Sequence, residues 1–187
     1  MYFFKSILES VKPAQTDFQK TAKTKRLVSA ALFAAIAALL QSAGGFLPGA
    51  GYLISPFSTA PILICSMFSV PLGMITYILT NLLLLLLEPS ELIVFPFTTG
   101  LLGLSLGGAF HFFGKRISII LCGAFFLTSG ILTLLYAIKF PVLGPVVSNS
   151  FSFLTTAGIG LFAFVYAWIW SEFGLFLFKR LKRIIVS

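Results

Sequence analysis

Charge is scarce in this sequence. Lys, Arg, Asp and Glu make up 10% of its 187 residues, with five acids, one histidine and two cysteines, where a soluble domain carries about a quarter charged residues. So few polar side chains cannot cover a surface in water. With 58% hydrophobic residues and a mean hydropathy of +1.05, the chain is expected to be an integral membrane protein. The absences also exclude chemistry. There is no glycine-rich P-loop to hydrolyse a nucleotide, and the single histidine, His111, rules out the H-E-x-x-H pattern of membrane metalloproteases. Cys65 and Cys122 fall in separate apolar runs, where lone thiols behave as small hydrophobes, so neither a disulfide nor a metal site is indicated. Glu172 is the sole carboxylate inside an apolar run. Such an acid is a functional candidate by default, but Lys179 and Arg180 lie close enough in sequence to suggest an interfacial salt bridge. Without a buried chain of acids or an inverted repeat, an autonomous proton-driven carrier is poorly supported. Glu172, His111, Glu88 and Glu91 are separated by topology, so no enzyme and no cofactor are expected.

What remains is apolar runs at 27–47, 52–69, 70–87, 92–113, 117–138 and 151–178. Each is long enough to cross the hydrocarbon layer, which predicts an all-α membrane protein with six transmembrane helices in one bundle. Residues 1–26 form an N-terminal segment and 179–187 a basic tail. The second run would span about 27 Å as a helix, although Pro56 and Pro61 leave a re-entrant segment conceivable. Six crossings put every Lys and Arg except Lys139 on one side, and the positive-inside rule then places both termini in the cytoplasm of a cell-membrane protein. Glu88 and Glu91 fall outside. The net charge of +8 is accounted for by this topology and by adhesion to anionic lipid, with no need for nucleic acid. A cleaved signal peptide would need a shorter charged leader and a shorter apolar run than residues 1–45 offer.

The first run contains "SAALFAAIAALL", 29–40, in which Ala30, Ala34 and Ala38 lie four apart and Ala31 and Ala35 repeat the pattern beside them. Lipid has no use for small side chains, whereas a second helix does, so this is a docking face, for a partner or within the bundle. Gly103 and Gly107 give a second such pair, better suited to packing within the bundle. Gln41, Asn81 and Thr98 each lie about 9 Å below the outer end of their spans, and Thr59, Thr133, Thr155 and Thr156 fall within a turn of that level. Hydroxyls often bond only to a carbonyl one turn back. An unpartnered amide in lipid costs several kcal/mol, so Gln41 and Asn81 should face either a partner or a cavity. Above this layer, "GGFLPGAGYLISPFS", 44–58, has the glycines and prolines of a non-helical lid. A second outer loop, 139–150, carries Lys139 and Asn149. Phe3, Phe4, Ile7, Leu8 and Val11 suggest a short interfacial helix ending before Pro13, with a disordered tail as the alternative.

A chain of this size with six spans, both termini inside, an A-x-x-x-A face on the first helix and a Gly/Pro-rich loop after it resembles the substrate-binding S component of energy-coupling factor (ECF) vitamin transporters. "APILICSMFSVPLGMITYILTNLL", 60–83, is similar to the family's second and third helices, and "FTTGLLGLSLGG", 97–108, to its Gly-rich fourth. The resemblance implies a membrane subunit that captures a vitamin-like molecule outside and delivers it inward with a transmembrane T subunit and two cytoplasmic ATPases. Ala30, Ala34 and Ala38 would then dock on the T subunit. Gln41, Tyr52, Asn81, Thr98, Thr99, Thr155 and Thr156 would contact the ligand, with rings from Tyr52, Phe57 and Phe97 packing on it. The nickel and cobalt branch has an N-terminal histidine motif, whereas Tyr2 and Phe3 follow Met1 here, which argues against a metal substrate. The competing expectation is an accessory membrane protein that binds a partner through its alanine face and has no ligand.

Overall fold

Each apolar run folds into a helix, with ends within a few residues of those expected except at the C-terminus, where the last helix runs on to Ile185 through most of the stretch expected to be a separate basic tail. The computed structural model describes residues 8–47, 49–140 and 153–185, with side chains from Val11 to Leu181 within those ranges. The helices are α1 (Leu8–Lys20), α2 (Lys23–Phe46), α3 (Gly51–Phe68), α4 (Val70–Leu87), α5 (Glu91–Phe112), α6 (Arg116–Ala137) and α7 (Phe153–Ile185). Among the described residues there is no strand, and α2 to α7 are long and apolar enough to cross a membrane. Leu32, Leu39, Leu86, Phe125 and Leu161 remain exposed on the outside of the bundle, a surface suited to lipid rather than water. The protein is an all-α, multi-pass membrane protein.

Successive spans alternate in direction. One end therefore gathers Lys23, Lys25, Lys115, Arg116, Lys179 and Arg180, and we call it the basic end. Two expectations change there. Glu172 pairs with Arg116 at the start of α6, not with Lys179 or Arg180; the Arg180 guanidinium sits over the Phe176 ring, 4.6 Å from its centroid. α1 does not end before Pro13 but runs through it. Proline removes one helical hydrogen bond, and burial of Val11, Ala14, Gln15 and Phe18 offsets that loss along a stripe with helical spacing. Phe18 packs on Phe68, which packs on Phe178 of α7. Gln15 Nε2 donates to Met67 O at 2.8 Å, and His111 Nε2 lies 2.8 Å from Ser66 O. Phe3, Phe4 and Ile7 lie outside the described residues.

The alanine face needs a larger correction. Ala30, Ala34 and Ala38 are fully buried, because α4 packs along them. Thr76 Oγ1 reaches Ala30 O at 3.3 Å and Thr80 Oγ1 reaches Ala34 O at 3.4 Å, approaches that a larger side chain on α2 would prevent. These three alanines therefore build the bundle and are not a free docking surface. Ala34→Leu is expected to overpack this seam and lower stability by about 1–3 kcal/mol. An unchanged unfolding midpoint in detergent would show that the seam yields.

Gly103 and Gly107 are used within the bundle. A Cβ on Gly103 would come 2.9 Å from Thr59 O, and one on Gly107 2.8 Å from Leu63 O, so α5 lies directly on the backbone of α3. Nor is 44–58 a non-helical lid. α2 continues to Phe46 and α3 begins at Gly51, where a Cβ would fall 1.8 Å from Ala43 O. The glycine permits a tight helical hairpin where a loop was expected. Pro48 lies outside the described residues, as do 141–152 of the second outer loop.

Candidate functional site

At the end opposite the basic one, α3 and α5 are both interrupted. α3 opens with a helical turn, Gly51–Ile54, tightens to a 3-10 segment, Ser55–Ser58, and resumes as Thr59–Phe68. α5 repeats the scheme with Glu91–Val94, Phe95–Phe97 and Thr99–Phe112. Each 3-10 segment contains a proline, Pro56 or Pro96, whose missing N–H disrupts the regular ladder. Thr98, at the second break, leaves the helical region altogether (φ −121°, ψ −98°). Its N–H donates to Val94 O at 3.1 Å and its hydroxyl to the same oxygen at 2.8 Å. α6 closes in on this break, since a Cβ on Gly130 would lie 1.8 Å from Phe97 O.

Gln41 of α2 joins the two interrupted helices. Its Oε1 accepts from Ser58 Oγ at 2.6 Å and from Thr99 Oγ1 at 2.9 Å. Its Nε2 donates to Glu91 Oε2 at 2.7 Å. A carboxylate only accepts and hydroxyls are free to donate, so the amide has one orientation that satisfies all three partners. Gln41 is 1% exposed and Ser58 is fully buried. Small residues let the acids come close: a Cβ on Gly44 would meet Glu91 Oε1 at 2.5 Å, and one on Gly45 would meet Glu88 Cδ at 2.5 Å. Ser90 Oγ donates to Glu88 Oε1 at 2.6 Å.

The breaks border a cavity of about 420 Å³ lined by Gln41, Tyr52, Ser55, Pro56, Ser90, Glu91, Val94, Thr98, Thr99 and Phe140. That volume lies within the range of about 300–1,000 Å³ found for small-molecule sites. Backbone that departs from regular helix at membrane depth is tolerated where it is buried in protein or lines a cavity, and both conditions hold here. No protein-family model, curated protein or solved structure matches this chain. The site therefore rests on its own geometry.

Of the residues expected to contact a ligand, Gln41, Tyr52, Thr98 and Thr99 meet at this cavity. Tyr52 stands at its rim, 70% exposed. Asn81, Thr155 and Thr156 do not line it. Asn81 Nδ2 donates to Tyr77 O, one turn back on α4, which gives the amide a partner within its own helix. Thr155 and Thr156 are half-buried on the first turns of α7. Phe57 turns away to Trp170 and Phe173, with ring centroids 6.1 and 6.5 Å distant, and Phe97 is absent from the lining as well. Thr133 donates to Ser129 O within its own helix. Among the described residues, no three His, Cys, Asp or Glu side chains are grouped as a metal site would need.

Sequence reasoning missed Ser55, Ser58, Ser90 and above all Glu91. Depth counted from the span ends placed Glu91 in a loop. A signal was nonetheless present: "EPSE", 88–91, sets two acids between two spans, with Glu91 at the start of α5 and five residues before Pro96.

Proposed function

We propose that the protein is the substrate-binding membrane subunit of an ECF-type importer, set in the cell membrane with both termini in the cytoplasm. In this role it captures a vitamin-like small molecule in the outward-facing cavity and passes it inward with a T subunit and two ATPases, catalysing no reaction itself. The observation that carries this reading is the polar cavity placed where two proline-broken helices meet. Interrupted membrane helices with converging polar groups are a recurrent way of building a transport site. An accessory protein that docked through the alanine face would need that face free, and α4 occupies it. Docking on a T subunit falls instead to the outer side of α2, where Val28, Ala31, Leu32 and Leu39 are exposed.

The test is purification of the tagged protein from its native membrane in mild detergent, followed by mass spectrometry of what co-elutes. A T subunit with paired ATPases, together with a small molecule released on denaturation, is the expected result. Elution with neither overturns the reading.

A further inference from the structure

Of the five hydroxyls that line the cavity, three have already committed their protons, and those of Tyr52, at the rim, and Ser55 donate to no described group. Thr98 donates to Val94 O, Thr99 to Gln41 Oε1 and Ser90 to Glu88 Oε1. A hydroxyl has one proton and two lone pairs, so what these three offer a ligand is acceptor capacity. Gln41 adds little donor capacity, since its amide already bonds to Glu91 and its oxygen already accepts twice. Glu91 brings a negative charge and a second carboxylate oxygen, Oε1, and no ion pair with it occurs among the described residues. Lys139, the one cation at this end among the described residues, is exposed and does not line the cavity. Glu88 adds further negative charge beside Gly45. The wall is thus negative and rich in acceptors, and among its side-chain hydroxyls only Tyr52 and Ser55 keep a proton to donate.

Resting on the transport reading above, we infer that the cavity selects an organic cation that donates hydrogen bonds, such as a protonated amine or a cationic nitrogen heterocycle, with Glu91 as its counter-charge. Tyr52 and Phe140, which line the same space, add the aromatic surface that attracts cations. An anion of equal size would meet Glu91 with few donors to offset the repulsion. A neutral acceptor would leave the Glu91 charge without a partner.

The experiment uses the full chain in detergent and a small-molecule extract of rich growth medium, split by ion exchange into cationic, neutral and anionic fractions. After incubation and desalting, the retained compound is identified by mass spectrometry. Retention from the cationic fraction is expected. Glu91→Gln keeps an acceptor for Gln41 while removing the charge, and should reduce retention by about ten-fold or more, as loss of a charge-assisted contact implies. Equal unfolding midpoints of the ligand-free proteins show that the variant is folded; if it is not, the choice of fraction by the unaltered protein still decides. Retention of a neutral or anionic compound overturns the inference and leaves the transport reading standing, as does undiminished retention by the folded variant. If the unaltered protein retains nothing from any fraction, the binding reading fails and this inference with it.

Discussion

Gln41→Leu is expected to lower stability by about 2–3 kcal/mol, because removing one partner strands the groups that it satisfied. The substitution keeps the volume and removes the junction. Thr99 and Glu91 border the cavity and can turn to water, but Ser58 is fully buried and loses its acceptor. Binding should fall further than stability does, since Gln41 also lines the cavity and holds Glu91 in place. Gln41→Glu offers a sharper comparison, retaining the two acceptors for Ser58 and Thr99 while setting a second carboxylate against Glu91. Chemical unfolding in detergent measures the first effect and ligand retention the second. If Gln41→Leu unfolds at the same denaturant concentration as the unaltered protein, the three-helix junction does not stabilise the bundle.

Gly130→Ala should have the larger structural effect. The added Cβ meets a backbone oxygen, Phe97 O, at 1.8 Å, and Leu101 Cδ2 stands at 3.3 Å. Backbone cannot turn aside as a flexible side chain can. Either α6 retreats or the break in α5 is forced open, and overpacking of this kind costs about 3 kcal/mol or more. Gly108→Ala is the matched control, since nothing lies within 4 Å of its added Cβ and alanine favours helix by about 1 kcal/mol over glycine. Monodisperse yield by size-exclusion chromatography should collapse for the first variant and hold for the second. Equal yields would mean that α6 is free to move away from Phe97.

These two sites differ in how far they were legible beforehand. Hydropathy alone places the six spans, because a bilayer imposes one length and one composition on every segment that crosses it. Gln41 could be singled out from sequence, since an amide in an apolar run must find a partner. What the sequence did not convey was which partner. Glu91 is fifty residues away, and its role depends on how α2 and α5 cross. The same reasoning set Asn81 beside a ligand, whereas its Nδ2 bonds to Tyr77 O within its own helix and it does not line the cavity. Small residues were read correctly as contact points, but spacing does not say what they contact. Gly103 and Gly107 meet α3 within the bundle. Ala30, Ala34 and Ala38 follow the same rule, although the resemblance to a transporter subunit had assigned them to a partner. Proline misled in the other direction: Pro56 falls in a 3-10 segment that continues α3, and Pro13 lies inside α1, where burial of the surrounding stripe offsets the lost N–H.

The seam between α2 and α4 is a ruler with repeated marks. Thr76 reaches the carbonyl of Ala30 and Thr80 that of Ala34, the same step of four residues on both helices, although the next carbonyl, Ala38 O, already accepts from Ser42 Oγ. Sliding one helix past the other by a turn, about 5.4 Å, would bring equivalent atoms together again. The alanines fix how close the helices lie without fixing their phase. Phase must come from a mark that occurs once, and α4 ends at Leu87, only four residues before Glu91. The bond from Gln41 to Glu91 is such a mark, so the group that would neutralise a ligand's charge also helps to hold the bundle to one of several near-identical alignments.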